Sequence, residues 1–217
     1  NGEFEVKIGT HPIRVSGTKP TVIPDAVKKI ANPAVQKSLD YETLAYTPIF
    51  DKYGEPDVNS YHGSMVRQAS IKLDETRHDL PSAGGLLIAR SIEMAEYFQK
   101  LFDKIEGEKP MIVHSNKPNA SKIIQRFRNS KKRWIVSVAM ISEGVDIKRL
   151  RVLVYLPNAK TELAFRQSIG RVIRSMGKND ISRAYIIMPI LKTFDDFARR
   201  IEDEMPLIKP TIPTGPI

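Results

Sequence analysis

The chain of 217 residues has no cysteine. Disulfides and thiolate metal sites are therefore excluded, and a reducing compartment, the cytoplasm, is the expected setting. Its four histidines, His11, His62, His78 and His114, are scattered with no pair at metal-ligand spacing, so no metal site is expected. No apolar run approaches membrane-spanning length, nothing resembles a signal peptide, and no membrane partner is expected. Glycine-rich phosphate loops are missing too. A P-loop would read G-x-x-x-x-G-K-[ST], whereas the sole Gly-Lys pair, Gly177-Lys178, is followed by Asn179 and has Val172 at the first glycine position. No G-x-G-x-x-G follows the first continuous apolar run, which argues against a dinucleotide-binding enzyme.

What the chain does have is the composition of a soluble globular protein, 41% hydrophobic and 27% charged, with ample material for a core. Its formal net charge of +9 is concentrated. Residues 122–178 hold fourteen Lys or Arg against three Asp or Glu, an excess of eleven, which leaves the remainder at −2. Such a basic segment points to a polyanionic partner, because neutralising phosphates drives non-specific nucleic-acid binding. The competing account is a solvated surface tuned for solubility.

Residues 1–64 carry prolines at 12, 20, 24, 33, 48 and 56, too many for long regular elements. Alternation over residues 3–15 suits one or two strands, and a short helix over 24–31 is expected with Pro24 in its first turn. This region is expected to be an irregular extension or connector. A helix follows over residues 65–80. Within it, Asp74-Glu75-Thr76-Arg77-His78 looks like a magnesium-binding D-E-x-H box, but the histidine comes one place late and the pattern is helical, so it is set aside.

From Gly84 onward short apolar runs alternate with helical patterns. Strands are expected at residues 85–89, 111–113, 134–138, 152–156 and 184–188, and helices after Ser91, over 120–127, around Leu163 and after Thr193. Alternating strands and helices specify a parallel sheet with right-handed crossovers and helices on both faces. Residues 205–217, with four prolines from Pro206 onward, are expected to form an extended tail.

The most informative stretch is L-A-F-R-Q-S-I-G-R-V-I-R at residues 163–174. At helical spacing, Phe165, Ile169, Val172 and Ile173 form one apolar stripe. Gln167, Arg171 and Arg174 share the opposite side, so a braced helix presents two guanidiniums and an amide together. Arginine suits phosphate oxygens because its planar fork stays charged and binds them two at a time.

Q-S-I-G-R-V-I-R resembles motif VI, Q-x-x-G-R-x-x-R, of superfamily 2 helicases and translocases. About twenty residues earlier, V-A-M-I-S-E-G-V-D at 138–146 resembles motif V of the restriction-enzyme-like branch of that superfamily. The resemblance covers residues 84–204. It implies the second, C-terminal RecA-like domain: a P-loop NTPase fold without its own P-loop, in α/β architecture with a parallel sheet flanked by helices. The expected divisions are a connector over 1–64, the RecA-like domain over 65–204 and the tail.

The resemblance further implies that ATP with Mg2+ is held mainly by a first RecA-like domain carrying the P-loop. Arg174 would be the arginine finger, Arg171 its companion, and Gln167 would help position the attacking water. Gly144, Asp146 and Gly170 would belong to the nucleotide side, Gly144 allowing close approach of the backbone and Asp146 accepting from the ribose hydroxyl. Arg90, Ser91, Ser115, Asn116 and Ser137, at or beside strand ends, would contact nucleic acid, with DNA ahead of RNA. Many relatives carry a threonine where Val138 stands, so that one contact is not implied here. The expected function is the C-terminal half of an ATP-dependent helicase or translocase that does not hydrolyse ATP alone. The alternative is a non-catalytic nucleic-acid-binding α/β module.

Overall fold

The computed structural model describes residues 2–8, 11–18, 41–138, 147–158, 160–172, 184–189 and 191–203. Five parallel strands form the body of the sheet: β3 (Gly84–Ala89), β4 (Met111–Val113), β5 (Trp134–Val138), β6 (Leu150–Tyr155) and β7 (Ala184–Pro189). Ahead of them in sequence, β1 (Gly2–Ile8) and β2 (His11–Thr18) form an antiparallel hairpin. Its second strand adds in parallel to β7, with Ile13 opposite Ala184. The strand order is β1-β2-β7-β6-β3-β5-β4.

The apolar runs became strands because each is buried on both sides. Every residue of β3, β6 and β7 is buried, which only a sheet sandwiched between helices can achieve. Two glycines shape the start of β3. A side chain on Gly85 would collide with the ring of Trp134, which crosses the strand there, and one on Gly84 would meet the guanidinium of Arg149. Trp134 is held in turn by Phe102, ring centres 4.7 Å apart, and by its Nε1, which donates to Glu106 at 3.0 Å.

The helices are α1 (Tyr41–Tyr46), α2 (Tyr61–Asp79), α3 (Ile92–Glu106), α4 (Ala120–Arg128), α5 (Glu162–Val172) and α6 (Lys192–Asp203). Strand order and right-handed crossovers place α3 on one face of the sheet and α4 and α5 on the other. Leu44, Ala45, Tyr46 and Ile49 belong to the same buried core as the sheet, so residues ahead of α2 pack onto the body. His62 fastens them there. It is wholly buried, with Nε2 2.8 Å from the Ala45 carbonyl and Nδ1 3.2 Å from the Tyr97 hydroxyl. Burial pushes its pKa down to about 4, so the ring is neutral and Nε2 carries the proton shared with Ala45.

Helix α2 begins at Tyr61, four residues before the expected start, because the Ser60 hydroxyl accepts from the Gly63 amide and Tyr61 and His62 are buried. Helix α6 begins at Lys192, ahead of the expected Thr193 cap, with the Leu191 carbonyl accepting from Phe194 and Asp195. The expected helix at residues 24–31 and the tail at 205–217 lie outside the described residues.

Candidate nucleic-acid and nucleotide interface

β3, β5 and β4 are neighbours, so the segments following them share one edge of the sheet. The chain leaves β3 toward β4 in one direction, whereas the connections from β4 onward all step the other way. β3 is thus flanked on both sides by strands whose connections cross the opposite face. Crevices form at such reversals, and ligands of open parallel sheets collect there. Arg90 and Ser91, directly after β3, sit at the reversal. Ser115 and Asn116 lie on the same edge, after β4.

Ser91 is the N-cap of α3, its hydroxyl accepting from the Met94 amide at 3.2 Å. That leaves the hydroxyl proton free to donate outward, beside the positive end of a fifteen-residue helix. Arg90 is exposed, with its guanidinium 5.4 Å from the ring centre of Tyr46. The ammonium of Lys160 stands 5.1 Å from the same ring. Tyr46 therefore gathers two cations that enter from different loops. Its own pKa is raised by burial, and then by the charge of Tyr155, with Arg90 opposing. Ser115 and Asn116 are exposed and hydrogen-bonded to each other at 3.3 Å. Next to them, His114 Nδ1 is buried and has no hydrogen-bond partner among the described residues.

Ser137 departs from this group. It is 1% exposed, a residue of the interior of β5, so its side chain lies beneath the edge and not on its surface. Neither Tyr46 nor Lys160 figured among the expected site residues. No local pattern marks Tyr46, which reaches Arg90 only through the packing of the segment ahead of α2.

Helix α5 has the expected two sides. Phe165, Ile169 and Val172 are buried, while Gln167 is exposed and Arg171 half-buried. The bracing is aromatic: Phe165 lies 5.2 Å from Tyr155 and stacks parallel to Phe194 at 6.3 Å, centre to centre. Thr161 caps the helix by accepting from the Ala164 amide. Glu162 binds Arg166 at 2.8 Å and Arg200 of α6 at 2.6 Å, tying the two helices together. Gly170 is exposed, and a Cβ there would meet nothing within 4 Å among the described residues. Arg174, Gly144 and Asp146 lie outside the described residues.

The basic segment is only partly a surface. Arg149 and Arg151 are buried. Arg133 is engaged by Glu106 at 3.0 Å and Asp74 at 2.7 Å, which gives Asp74 of the D-E-T-R-H stretch a structural partner. His78 of that stretch is exposed on α2 beside Asp79. No cluster of potential metal ligands occurs among the described residues, and no helix among them is long and apolar enough to cross a membrane.

Five parallel strands between two helical layers, with a helix-borne Gln-Arg face and a polar edge at the strand ends, define a RecA-like α/β domain. Residues 51–176, more than half of the chain, match the helicase conserved C-terminal domain, and the chain belongs to that family. An uncharacterized protein of Mycobacterium tuberculosis is 37% identical over 149 residues, covering 69% of this chain and 24% of the relative. A DNA 3'-5' translocase of Sulfurisphaera tokodaii is 25% identical over 145 residues, 64% of this chain and 32% of its own. Among solved structures, domain 2 of the DEAD-box helicase Mss116p bound to an RNA duplex aligns with a TM-score of 0.49 at 14% identity, covering 65% of this chain and 55% of that one. The chain spans about a quarter of the length of its mycobacterial relatives.

Proposed function

We propose that this chain is the C-terminal half of an ATP-dependent DNA translocase or helicase, working against a first RecA-like domain of the same polypeptide in the cytoplasm. The observation that carries the reading is the side of α5 that bears exposed Gln167 and half-buried Arg171, braced by Phe165, Ile169 and Val172. Phosphoryl transfer needs a phosphate cradle, a magnesium ligand, a group to position water and cationic stabilisation of the transition state. This sequence offers only the last, so ATP with Mg2+ would be held mainly by the first domain. Arg174 would reach the γ-phosphate as the finger, with Arg171 beside it and Gln167 positioning water. Gly144 and Asp146 would border the nucleotide, Asp146 at the ribose hydroxyl.

Arg90, Ser91, Ser115 and Asn116 would track the backbone of one strand, with Ser137 supporting them from below. DNA is favoured over RNA because a matched relative is a DNA 3'-5' translocase. The form of the 138–146 stretch favours the restriction-enzyme-like branch. Loss of the bridging γ-phosphate would open the cleft between the halves and shift the strand contacts.

The test is DNA-stimulated ATPase of the full-length parent protein. Arg174→Ala is expected to lower turnover by about 10³-fold or more, with DNA affinity in the absence of nucleotide retained. Near-normal turnover would remove the finger assignment. The isolated chain is expected to hydrolyse ATP no faster than buffer, and clear activity in pure material would overturn the half-motor reading.

A further inference from the structure

At the other end of the sheet, where the strands begin, lies a cavity of about 500 Å³. Its walls come from Ser82 ahead of β3, from Arg128 at the end of α4 and Lys131 between α4 and β5, and from Lys148 and Arg149 ahead of β6. Of the seven described residues that line it, four are cationic and none is acidic or aromatic.

Arg149 is built into this cavity. It is 5% exposed, and Nη1 donates to the Ser82 carbonyl at 2.9 Å. Nη2 donates to the carbonyls of Phe127 and Lys132, both at 2.8 Å. The guanidinium lies 4.0 Å from the centre of the Phe127 ring, and its Nε is buried without a partner among the described residues. A side chain on Gly84 would come within 2.6 Å of Nη1, so the strand is shaped around this arginine.

Among the described residues no carboxylate pairs with Arg149, and the nearby acids are engaged elsewhere. Glu108 receives Lys132 at 3.5 Å, while Glu106 and Asp74 receive Arg133. Burial, then repulsion from Arg77, depress the Arg149 pKa to about 10, with Glu108 opposing. The end of α4 would ordinarily repel an anion through its free carbonyls. Here the Phe127 carbonyl is already covered by Arg149 Nη2 and by the amide and hydroxyl of Ser130.

A buried, carbonyl-bound guanidinium with three exposed cations around it lacks one component, which is negative charge. We propose that this cavity binds closely spaced phosphate groups of a polyanion, at a site separate from both the strand track and the nucleotide face. With no aromatic among the described lining residues to stack a base, recognition is of phosphates alone and independent of sequence. The phosphates could be those of a nucleic-acid backbone or of a free oligophosphate. The site stands on its own residues and does not depend on the helicase reading.

The test titrates inorganic tripolyphosphate into the chain by calorimetry at low salt. Lys131→Ala/Lys148→Ala removes two exposed walls and spares Arg149, which the fold requires. Lys122→Ala/Arg126→Ala removes the same charge from exposed positions of α4 outside the cavity. The wild type is expected to bind, the cavity variant to lose at least tenfold in affinity, and the control variant to lose less than threefold. Absence of binding to the wild type, or equal losses in the two variants, overturns the proposal. A single-stranded oligonucleotide titrated into the same proteins separates the sources. A parallel tenfold loss in the cavity variant assigns the site to a nucleic-acid backbone, and an unchanged affinity assigns it to a free oligophosphate.

Discussion

The ring of Tyr46 shows how one side chain can organise an interface it does not belong to in sequence. Arg90 and Lys160 reach it from loops after β3 and β6, and each cation–π contact is worth about 0.5 to 2 kcal/mol. Without the ring the two long side chains would sample many rotamers, and holding them toward a phosphate would cost entropy. Tyr46→Leu is therefore expected to weaken binding of single-stranded DNA roughly three- to tenfold. Tyr46→Phe is expected to bind like the wild type, since it keeps the ring and removes a buried hydroxyl that has no partner among the described residues. Fluorescence anisotropy at one fixed salt concentration, beside thermal melts of each variant, gives the comparison. Equal affinities for Leu and wild type, or an equal loss for Phe and Leu, would show that the ring does not hold the cations. Ser91 was legible in the sequence because a serine before an amphipathic run is a local signal. Tyr46 was not, since its partners are contacts across the fold.

Among the elements, α5 buries Phe165, Ile169 and Val172 as its apolar spacing requires, and its glycine is the anomaly. Gly170 sits in an exposed helical position where a methyl group would meet nothing among the described residues, and glycine there costs about 1 kcal/mol relative to alanine. Packing within the described residues does not call for it; on the proposed reading the requirement is imposed by nucleotide or by the first domain. Gly170→Ala should accordingly raise the melting temperature by a few degrees, while lowering DNA-stimulated ATPase of the full-length parent at least tenfold. If activity stays intact, Gly170 is not needed for close approach and should be dropped from the nucleotide site. The strands were legible for the reason α5 was: continuous apolar runs and a 3.6-residue stripe both report burial directly. Helix ends were less legible. The start of α2 is disguised by His62 and Gly63, which read as polar and helix-breaking until the fold buries them.

For the whole molecule, the +9 charge fits a polyanion partner, but a sum cannot say where each charge lies. Arg149 and Arg151 turned inward to hold carbonyls near the start of β6, and the cavity that Arg149 helps form had no signature in spacing. The seating of residues 43–50 was equally hidden, and it rests on another buried ionisable group. His62 Nε2 donates to the Ala45 carbonyl, and the Tyr97 hydroxyl, 3.2 Å from both His62 Nδ1 and the Ile49 carbonyl, has one proton that can serve either. Protonation of His62 would place an uncompensated charge among Tyr61, Tyr97 and Phe98. Its folded pKa of about 4 lies below the unfolded value near 6.5, so the unfolded chain takes up the proton first. The stabilisation from neutral His62 is therefore complete above pH 6.5 and is lost as pH falls toward 4, by roughly 3 kcal/mol in all. Asp51 and Glu162, whose carboxyls are held low by hydrogen bonds, add their losses further down in acid. Urea denaturation between pH 7.5 and 5 should thus show stability falling with pH in the wild type and a flatter profile in His62→Gln, whatever the variant's starting stability. Parallel profiles would place the titration elsewhere. Because Tyr46 rides on the segment His62 secures, single-stranded DNA affinity should weaken over the same interval in the wild type, linking one buried imidazole to the strand edge.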